Sequence, residues 1–177
     1  MGAHTAAQRA RAAHAADVGA ALDALRRIVQ GLRLSAAHAE RETGLSGAQL
    51  FVLQQLAEAP AQSLNELALR TRTHQSSVST VVSRLVARAL VSRRRDAGDA
   101  RRLLLDLTPA GRTLLGGASE TAQTRLIAAL ERLPRSGLKA LVASLNDLVR
   151  AVGMEAEPAP LFFEPAEPPA KPGRSSR

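Results

Sequence analysis

The chain of 177 residues has no cysteine, tryptophan or tyrosine and only three phenylalanines. The absence of cysteine excludes disulfides, thiolate-bound zinc, thiol catalysis and cysteine-based peroxide sensing. Aromatic rings, on which RNA and single-stranded bases stack, are too few to form a binding platform. If the protein binds a nucleic acid, we therefore expect duplex DNA.

Long apolar runs are missing too. No stretch approaches the roughly 18 consecutive apolar residues of a membrane span, and the N-terminal residues lack the continuous apolar core of a signal peptide. We therefore expect a cytoplasmic protein that does not contact membranes.

Sites for catalysis are also missing from the sequence. There is no Gly-rich phosphate loop and no nucleophile motif, and the four histidines are too scattered to form a metal site. The sequence predicts no enzymatic activity, no cofactor and no metal.

Positive charge is what the chain has in excess. The formal net charge is +8, and nearly all the cations are arginines, because lysine occurs only at positions 139 and 171. A polyanion is the first partner that this balance suggests. The length fits one domain with its own core, and the abundance of alanine, leucine and arginine favours helices.

Apolar residues at helical spacing predict a first helix from Asp17 to about Thr43, which Gly44 ends. A second helix, over about 46–58, begins at Ser46, because a serine side chain can cap the free N–H groups of a first turn.

Two shorter helices follow. Ser63 caps the third, with Glu66 at the spacing of a capping box, and the fourth covers about 74–88. The short break at 71–73 makes this pair a candidate helix-turn-helix.

Residues 90–95 and 101–107 are predicted to be two strands of a hairpin, with the leucines of the second strand on one face. Thr108 then caps a long helix over about 109–131, and a last helix covers about 134–152. The expected fold class is therefore mainly α with a small β-hairpin wing.

The two ends of the chain are predicted to lack stable tertiary structure. Residues 1–16 are interpreted as a flexible N-terminal extension, and the proline-rich residues 153–177 as a disordered tail. The apolar residues 161–163 are either a motif that docks on a partner or apolar residues that a tail tolerates.

The fourth helix has the composition of a helix that reads DNA. With its valines and Leu85 turned inward at about 100° per residue, polar residues occupy the outer face and its flanks: Gln75, Ser76, Ser77, Thr80, Ser83 and Arg84. Small hydroxyls permit close approach to base edges, glutamine can pair with adenine, and arginine can reach phosphates. The alternative interpretation is an ordinary amphipathic helix with a solvated face.

Arginines cluster around this helix. Between Ser63 and Leu107 nine arginines, including Arg94 and Arg95, stand against four acidic residues, which gives a net +5. A local cationic field beside a candidate reading helix is what DNA binding requires, because phosphate neutralisation supplies most nonspecific affinity.

Several motifs in this order resemble those of the MarR family of transcriptional regulators. They are Leu-Ser-Gly-Ala-Gln-Leu-Phe-Val-Leu at 45–53, Glu-Leu-Ala at 66–68, Ser-Ser-Val-Ser at 76–79, Arg-Leu-Val at 84–86, and Asp-Ala-Arg-Arg-Leu at 99–103 followed by Leu-Thr-Pro-Ala-Gly at 107–111. The resemblance covers roughly residues 17–152, and the Asp-x-Arg and Leu-Thr-x-x-Gly pair is its most discriminating part.

The resemblance implies a winged helix-turn-helix over 46–108, with dimerisation helices over 17–43 and 109–152. It implies a homodimer whose reading helices enter successive major grooves of a pseudo-palindromic operator. Arg101 would enter the minor groove from the wing tip, where the negative potential is enhanced, and Asp99 would brace it.

The resemblance further implies a repressor that a small organic anion or phenol releases from DNA. Such a ligand must prefer the conformation that does not bind DNA. His38 and Arg41, near the end of the first helix, are candidates to line its pocket, although surface or dimer-interface roles are the more common explanation for such residues.

Two positions depart from the family pattern. Ala89 and Arg72 stand where the family commonly has glycine. At Ala89 a different conformation or mild strain is expected before the wing, and at Arg72 the tightness of the turn is left open.

Two other functional classes remain open from the residues alone. A nonspecific, chromosome-structuring DNA-binding protein would share the arginine cluster, and a helical protein-interaction module would use the long helices without binding DNA.

Overall fold

The computed structural model describes residues 2–95, 103–155 and 161–162. The elements in these ranges are α1 (Gly2–Thr43), α2 (Gly47–Glu58), α3 (Leu64–Arg70), α4 (Gln75–Ala87), β1 (Val91–Arg95), β2 (Leu103–Leu107), α5 (Pro109–Leu115), α6 (Ala122–Glu131) and α7 (Arg135–Ala151). The mainly helical architecture with one small hairpin is confirmed. The first helix begins well before Asp17, so the predicted N-terminal extension is helical from Gly2.

Helix α2 lies at the centre of the fold. Eight of its residues are buried, and Phe51, Val52 and Leu53 are buried completely. It packs against α1, α3, α4, α5 and β2. A helix with so many buried apolar residues is stable only in such a position, because each buried face needs an apolar neighbour.

Serine side chains cap the first turns of α2 and α3, as the sequence predicts. Ser46 and Gln49 form a full capping box at the start of α2. At α3 the Ser63 hydroxyl accepts from the Glu66 N–H, but the Glu66 carboxylate accepts from Gln62 N at 2.7 Å instead of from Ser63 N. The predicted capping box is therefore only half formed, because the Glu66 carboxylate binds the N–H of the residue before the N-cap.

The helix-turn-helix and the hairpin follow the predicted pattern. The valines of α4 at positions 78, 81 and 82 and Leu85 are buried. The strands are antiparallel, and Val91 pairs with Leu107. Ala61, in the loop before α3, exchanges both backbone hydrogen bonds with Leu105, at 2.9 and 2.7 Å. This third segment ties the hairpin to the helices, and the sequence analysis did not predict it.

The Leu-Thr-x-x-Gly motif joins the hairpin to α5. Thr108 caps α5 and donates its hydroxyl hydrogen to the carbonyl of Ala89. A Cβ at Gly111 would lie 2.3 Å from the carbonyl oxygen of Leu90. No side chain fits at that distance, so glycine at 111 lets α5 pack on the backbone between α4 and β1.

The long helix predicted over 109–131 is wrong in one respect, because it is interrupted. Helix α5 ends at Leu115, and α6 begins at Ala122 with Thr121 as its N-cap. Glycines at 116 and 117 lower the helix propensity there, and side chains from other helices bind the freed backbone groups.

The tail also differs from prediction at one position. Leu161 is buried within the hydrophobic core cluster, at 3% exposure, and is not part of a solvated segment.

Three helices end in Schellman motifs, in which a residue with positive φ follows the C-cap. Thr73 N–H binds Ala68 O after α3, Leu90 N–H binds Leu85 O after α4, and Met154 N–H binds Val149 O after α7. The positive-φ residue is Gly153 after α7, but it is Arg72 after α3 and Ala89 after α4, each with φ of 55°. Both non-glycine residues therefore adopt the left-handed conformation that favours glycine, which agrees with the mild strain expected at Ala89.

Replacing Ala89 with glycine should stabilise the protein. Relief of the left-handed conformation outweighs the added entropy of the unfolded chain, so Ala89→Gly should raise the free energy of unfolding by about 0.5–1 kcal/mol. Urea denaturation measures the change. The matched control is Ala87→Gly, two residues earlier and the last residue of α4, which should lower stability by a similar amount. A loss of stability in both variants would contradict the assignment of strain.

Candidate nucleic-acid interface

The polar residues predicted to read DNA lie together on one side of α4. Gln75, Ser76 and Ser83 are exposed, and Ser77, Thr80 and Arg84 are partly buried. The Thr80 hydroxyl donates to the carbonyl of Ser76 at 3.4 Å, one turn earlier. A shallow groove between Thr80, Ser83 and Arg84 runs along this side. The outer surface of α4 is therefore narrow, polar and free of acidic residues.

Arg88 has a structural contact at the end of the same helix. Its Nη1 donates to the carbonyl oxygen of Gly44 at 2.6 Å, so it fastens α4 to the junction between α1 and α2. Gly44 has φ of 66°, which suits the last turn of α1. Arg88 therefore helps to fix the end of α4 against the α1–α2 junction. It is less available to a phosphate than the sequence suggested.

The hairpin presents arginines beside α4. Arg93 and Arg94 are exposed and lie on opposite faces of β1, since Arg93 pairs with Leu105 and Arg94 with Leu104. Arg95 pairs with Leu103 at the end of the ladder. Asp99 and Arg101, the predicted wing-tip residues, lie outside the described residues.

Two further arginines of the cationic cluster hold the fold together. Arg70 donates to the carbonyls of Gln55, Ala59 and Pro60 at 2.5–3.2 Å, which ties α3 to the end of α2. Arg72 forms an exposed ion pair with Glu131 of α6 at 2.9 Å. Sequence reasoning counted both toward the cationic cluster, because it cannot tell which guanidinium groups find carbonyl or carboxylate partners in the fold.

The two predicted ligand-pocket residues, His38 and Arg41, are both exposed on α1, and His38 pairs with Glu42 at 3.1 Å. Neither lines the cavity that separates α2 from α6. That cavity is formed by Phe51, Gln55, Glu58, Arg70, Thr124, Ile127, Ala128 and Glu131. The Nε of Arg70 is buried there without a hydrogen-bond partner.

Apolar side chains are exposed on the outer helices. On α1 they recur at Val18, Leu22, Leu25 and Val29, with exposures of 36–47%. On α7 they are Val142, Leu145, Leu148, Val149 and, just beyond it, Val152, with exposures of 40–54%. This spacing places them in one stripe along each helix.

Two kinds of site are not found in the described part of the chain. None of its helices combines the length and the apolar character needed to cross a membrane. Within the same residues, no three histidine or acidic side chains lie close enough to hold a metal ion.

Comparisons with known proteins agree with this geometry. The sequence model of the MarR family matches residues 43–102, from the end of α1 into the hairpin. A probable transcriptional regulator from Pseudomonas aeruginosa is 34% identical, with 70% of this chain and 92% of that chain covered and a TM-score of 0.46. No curated protein matches the chain.

Two other solved structures are similar. A MarR/EmrR family transcriptional regulator from Acinetobacter sp. ADP1 has a TM-score of 0.50 at 20% identity, with 78% of this chain and 96% of that chain covered. BpsR from Bordetella bronchiseptica, whose DNA binding is regulated by 6-hydroxynicotinic acid, is 27% identical, with 76% and 93% covered and a TM-score of 0.46. Together with the helix-turn-helix, the hairpin and the motifs that join them, the family match shows that this chain belongs to the MarR family of transcriptional regulators.

Proposed function

We propose that the protein is a sequence-specific repressor that binds a pseudo-palindromic operator as a homodimer and leaves it when a small organic ligand binds. The observation that carries the proposal is the outer face of α4, where Ser76, Thr80 and Ser83 form a narrow polar surface. Side chains of this size let a helix enter the major groove closely enough for hydroxyls and Gln75 to reach base edges.

The surroundings of α4 supply the charge that DNA binding needs. Arg84 flanks the reading face and Arg94 is exposed on the hairpin beside it. Arg95, Asp99 and Arg101 complete the proposed contacts toward the wing tip, with Arg101 in the minor groove. Phosphate contacts set position and affinity, whereas the face of α4 sets sequence preference.

Binding to DNA is tested by fluorescence anisotropy with the duplex upstream of the gene and a scrambled duplex. The upstream duplex should bind about 10³-fold more tightly or better. Thr80→Val, which removes one hydroxyl at nearly constant volume, should reduce this preference by about tenfold because a base contact is worth roughly 1–3 kcal/mol. Equal affinity for both duplexes would favour the nonspecific DNA-binding protein, and no binding at low salt would favour the interaction module.

Contacts to phosphates are measured separately, by the salt dependence of DNA binding. Arg94→Ala should weaken binding to both duplexes and reduce the slope of log K against log salt by about one, because one fewer counterion is released. Arg125→Ala on α6 is the matched control, since Arg125 is exposed and lies away from α4 and the hairpin. An equal change in slope for both variants would contradict the assignment.

The proposed dimer buries the apolar stripes of α1 and α7. Leu145 and Val149 are more than a third exposed, and every residue of α7 is at least partly accessible. Apolar surface of this extent on two helices is typical of a protein interface. A second copy of the chain supplies the same stripe, so the contact closes with two-fold symmetry and pairs the two reading helices.

A charge in the stripe should therefore separate the subunits. Leu145→Glu places a carboxylate in the interface and should yield a monomer by sedimentation at micromolar concentration, with loss of operator binding. Ala143→Glu lies on the opposite side of α7 and should leave the dimer intact. A dimeric Leu145→Glu variant would contradict the proposed interface.

The cavity between α2 and α6 is the proposed ligand site, although His38 and Arg41 remain predictions as pocket residues. Phe51 and Ile127 offer apolar contacts, and the buried Nε–H of Arg70 lacks an acceptor. A phenol or carboxylate oxygen would satisfy this donor, while the ring would lie against the apolar wall. The cavity lies between the helices proposed to read DNA and those of the proposed dimer. A ligand bound there can therefore favour one relative position of the two reading helices over another.

Salicylate is a suitable probe, and calorimetry is the measurement because the chain has no tryptophan. Ala128→Leu fills the cavity and should weaken salicylate binding by about tenfold or more, as expected for a side chain that occupies the ligand volume. Ala129→Leu is the matched control, because Ala129 is exposed and does not line the cavity. Unchanged binding in Ala128→Leu would exclude this cavity as the site of salicylate.

A further inference from the structure

The break between α5 and α6 joins two parts of the protein that are each held firmly. Helix α5 is fixed to the DNA-binding half, because Gly111 packs on the backbone of Leu90. Helix α6 is fixed to α1, because the Ser35 hydroxyl accepts from Ala122 N at 2.9 Å. The conformation of residues 116–121 therefore sets how α5, and the junction before the hairpin on which it packs, lies relative to α6.

Sterics do not force the chain out of the helix at this break. Gly116 has helical values of φ and ψ, −60° and −17°. A Cβ at Gly117 would meet no atom within 4 Å. A continuous helix from α5 into α6 is thus a competing conformation, and it is the one that the sequence pattern predicts.

The side chain of Gln54, on α2, supplies hydrogen bonds that hold the broken form. Its Nε2 donates to the carbonyl of Ser119 at 2.8 Å, and its Oε1 accepts from the N–H of Thr121 at 3.3 Å. In a continuous helix the same two groups would bind Gln123 N and Gly117 O. The two conformations therefore compete for the same backbone groups, and Gln54 stabilises only one of them.

We propose that Gln54 is a positioning residue that selects the broken form of the α5–α6 junction and thereby sets the half-site spacing that the dimer accepts in its operator. The inference rests on the proposed function, because spacing has meaning only for a dimer that reads two half-sites. Each added base pair moves a half-site along the duplex and rotates it by about 35°. A change in the junction is therefore measured as a change in preferred spacing.

The two forms differ in which backbone amides are protected. Among the described residues, Ser119 and Glu120 have N–H groups without an acceptor and are exposed. In a continuous helix both amides would bind carbonyls four residues earlier. Amide hydrogen exchange by NMR therefore distinguishes two outcomes. A continuous helix would protect the amides of Ser119 and Glu120 from exchange. A break that is merely loosened would leave those two amides unprotected and would also expose the amide of Thr121.

Gln54→Leu is the first variant, because it removes both hydrogen bonds at similar volume. It should protect the amides of Ser119 and Glu120, and should reduce by about tenfold the preference for the best spacing over spacings changed by one or two base pairs. Gly116→Ala/Gly117→Ala should have the same effect by an independent route, since alanine favours helix. A merely structural role for Gln54 would lower affinity for every spacing equally.

Glu120→Pro should restore the broken form of the junction in the Gln54→Leu variant. Proline at 120 costs no hydrogen bond in the broken form but blocks a continuous helix by clashing with the carbonyl of Gly116. The double variant Gln54→Leu/Glu120→Pro should recover the spacing preference of the wild type.

The outcomes distinguish this inference from the proposed function. A wild type with no preferred operator would overturn the proposed function and the role of Gln54 with it. A wild type with a preferred spacing that Gln54→Leu leaves unchanged overturns only the role of Gln54, as does a variant in which Ser119 and Glu120 stay unprotected.

Discussion

The burial of α2 is the constraint on which the rest of the structure depends. Phe51, Val52 and Leu53 have no access to solvent, so most of this helix must be covered by other elements. Helices α1, α3, α4 and α5 and strand β2 provide the cover. Because the surrounding elements pack on one helix, their mutual orientation is fixed through it, and that includes the orientation of the face of α4 proposed to read DNA.

The polar residues of α2 extend this control beyond packing. Gln49 completes the cap of its own helix, and Gln54 holds the start of α6. At the other end, the carbonyls of Gln55 and Ala59 accept from Arg70. Backbone groups that would otherwise lack protein partners are thereby satisfied by side chains of α2 and α3, so the irregular segments next to α2 are held in place by hydrogen bonds.

The arginine-rich composition serves two different purposes. Arg70 and Arg88 bind backbone carbonyls and secure α3 and α4, whereas Arg93 and Arg94 project from the hairpin. Guanidinium groups suit both purposes, since they carry several donors and keep their charge at any relevant pH. Fewer guanidinium groups therefore remain to contact phosphates than the sequence count suggests, although each one adds its charge to the field near α4.

The sequence by itself determined the positions of α2, α3 and α4, the N-caps Ser46, Ser63 and Thr108, and the buried face of α4, because these depend on residues within one or two turns of each other. It also indicated mild strain at Ala89, since a side chain in a left-handed cap carries a local cost. Only the tertiary structure decided the break before α6, the bridge from Ala61 to Leu105 and the burial of Leu161. In the first two of these, groups far apart in sequence form hydrogen bonds that local propensity does not encode, and Leu161 depends in the same way on an apolar core built by other elements.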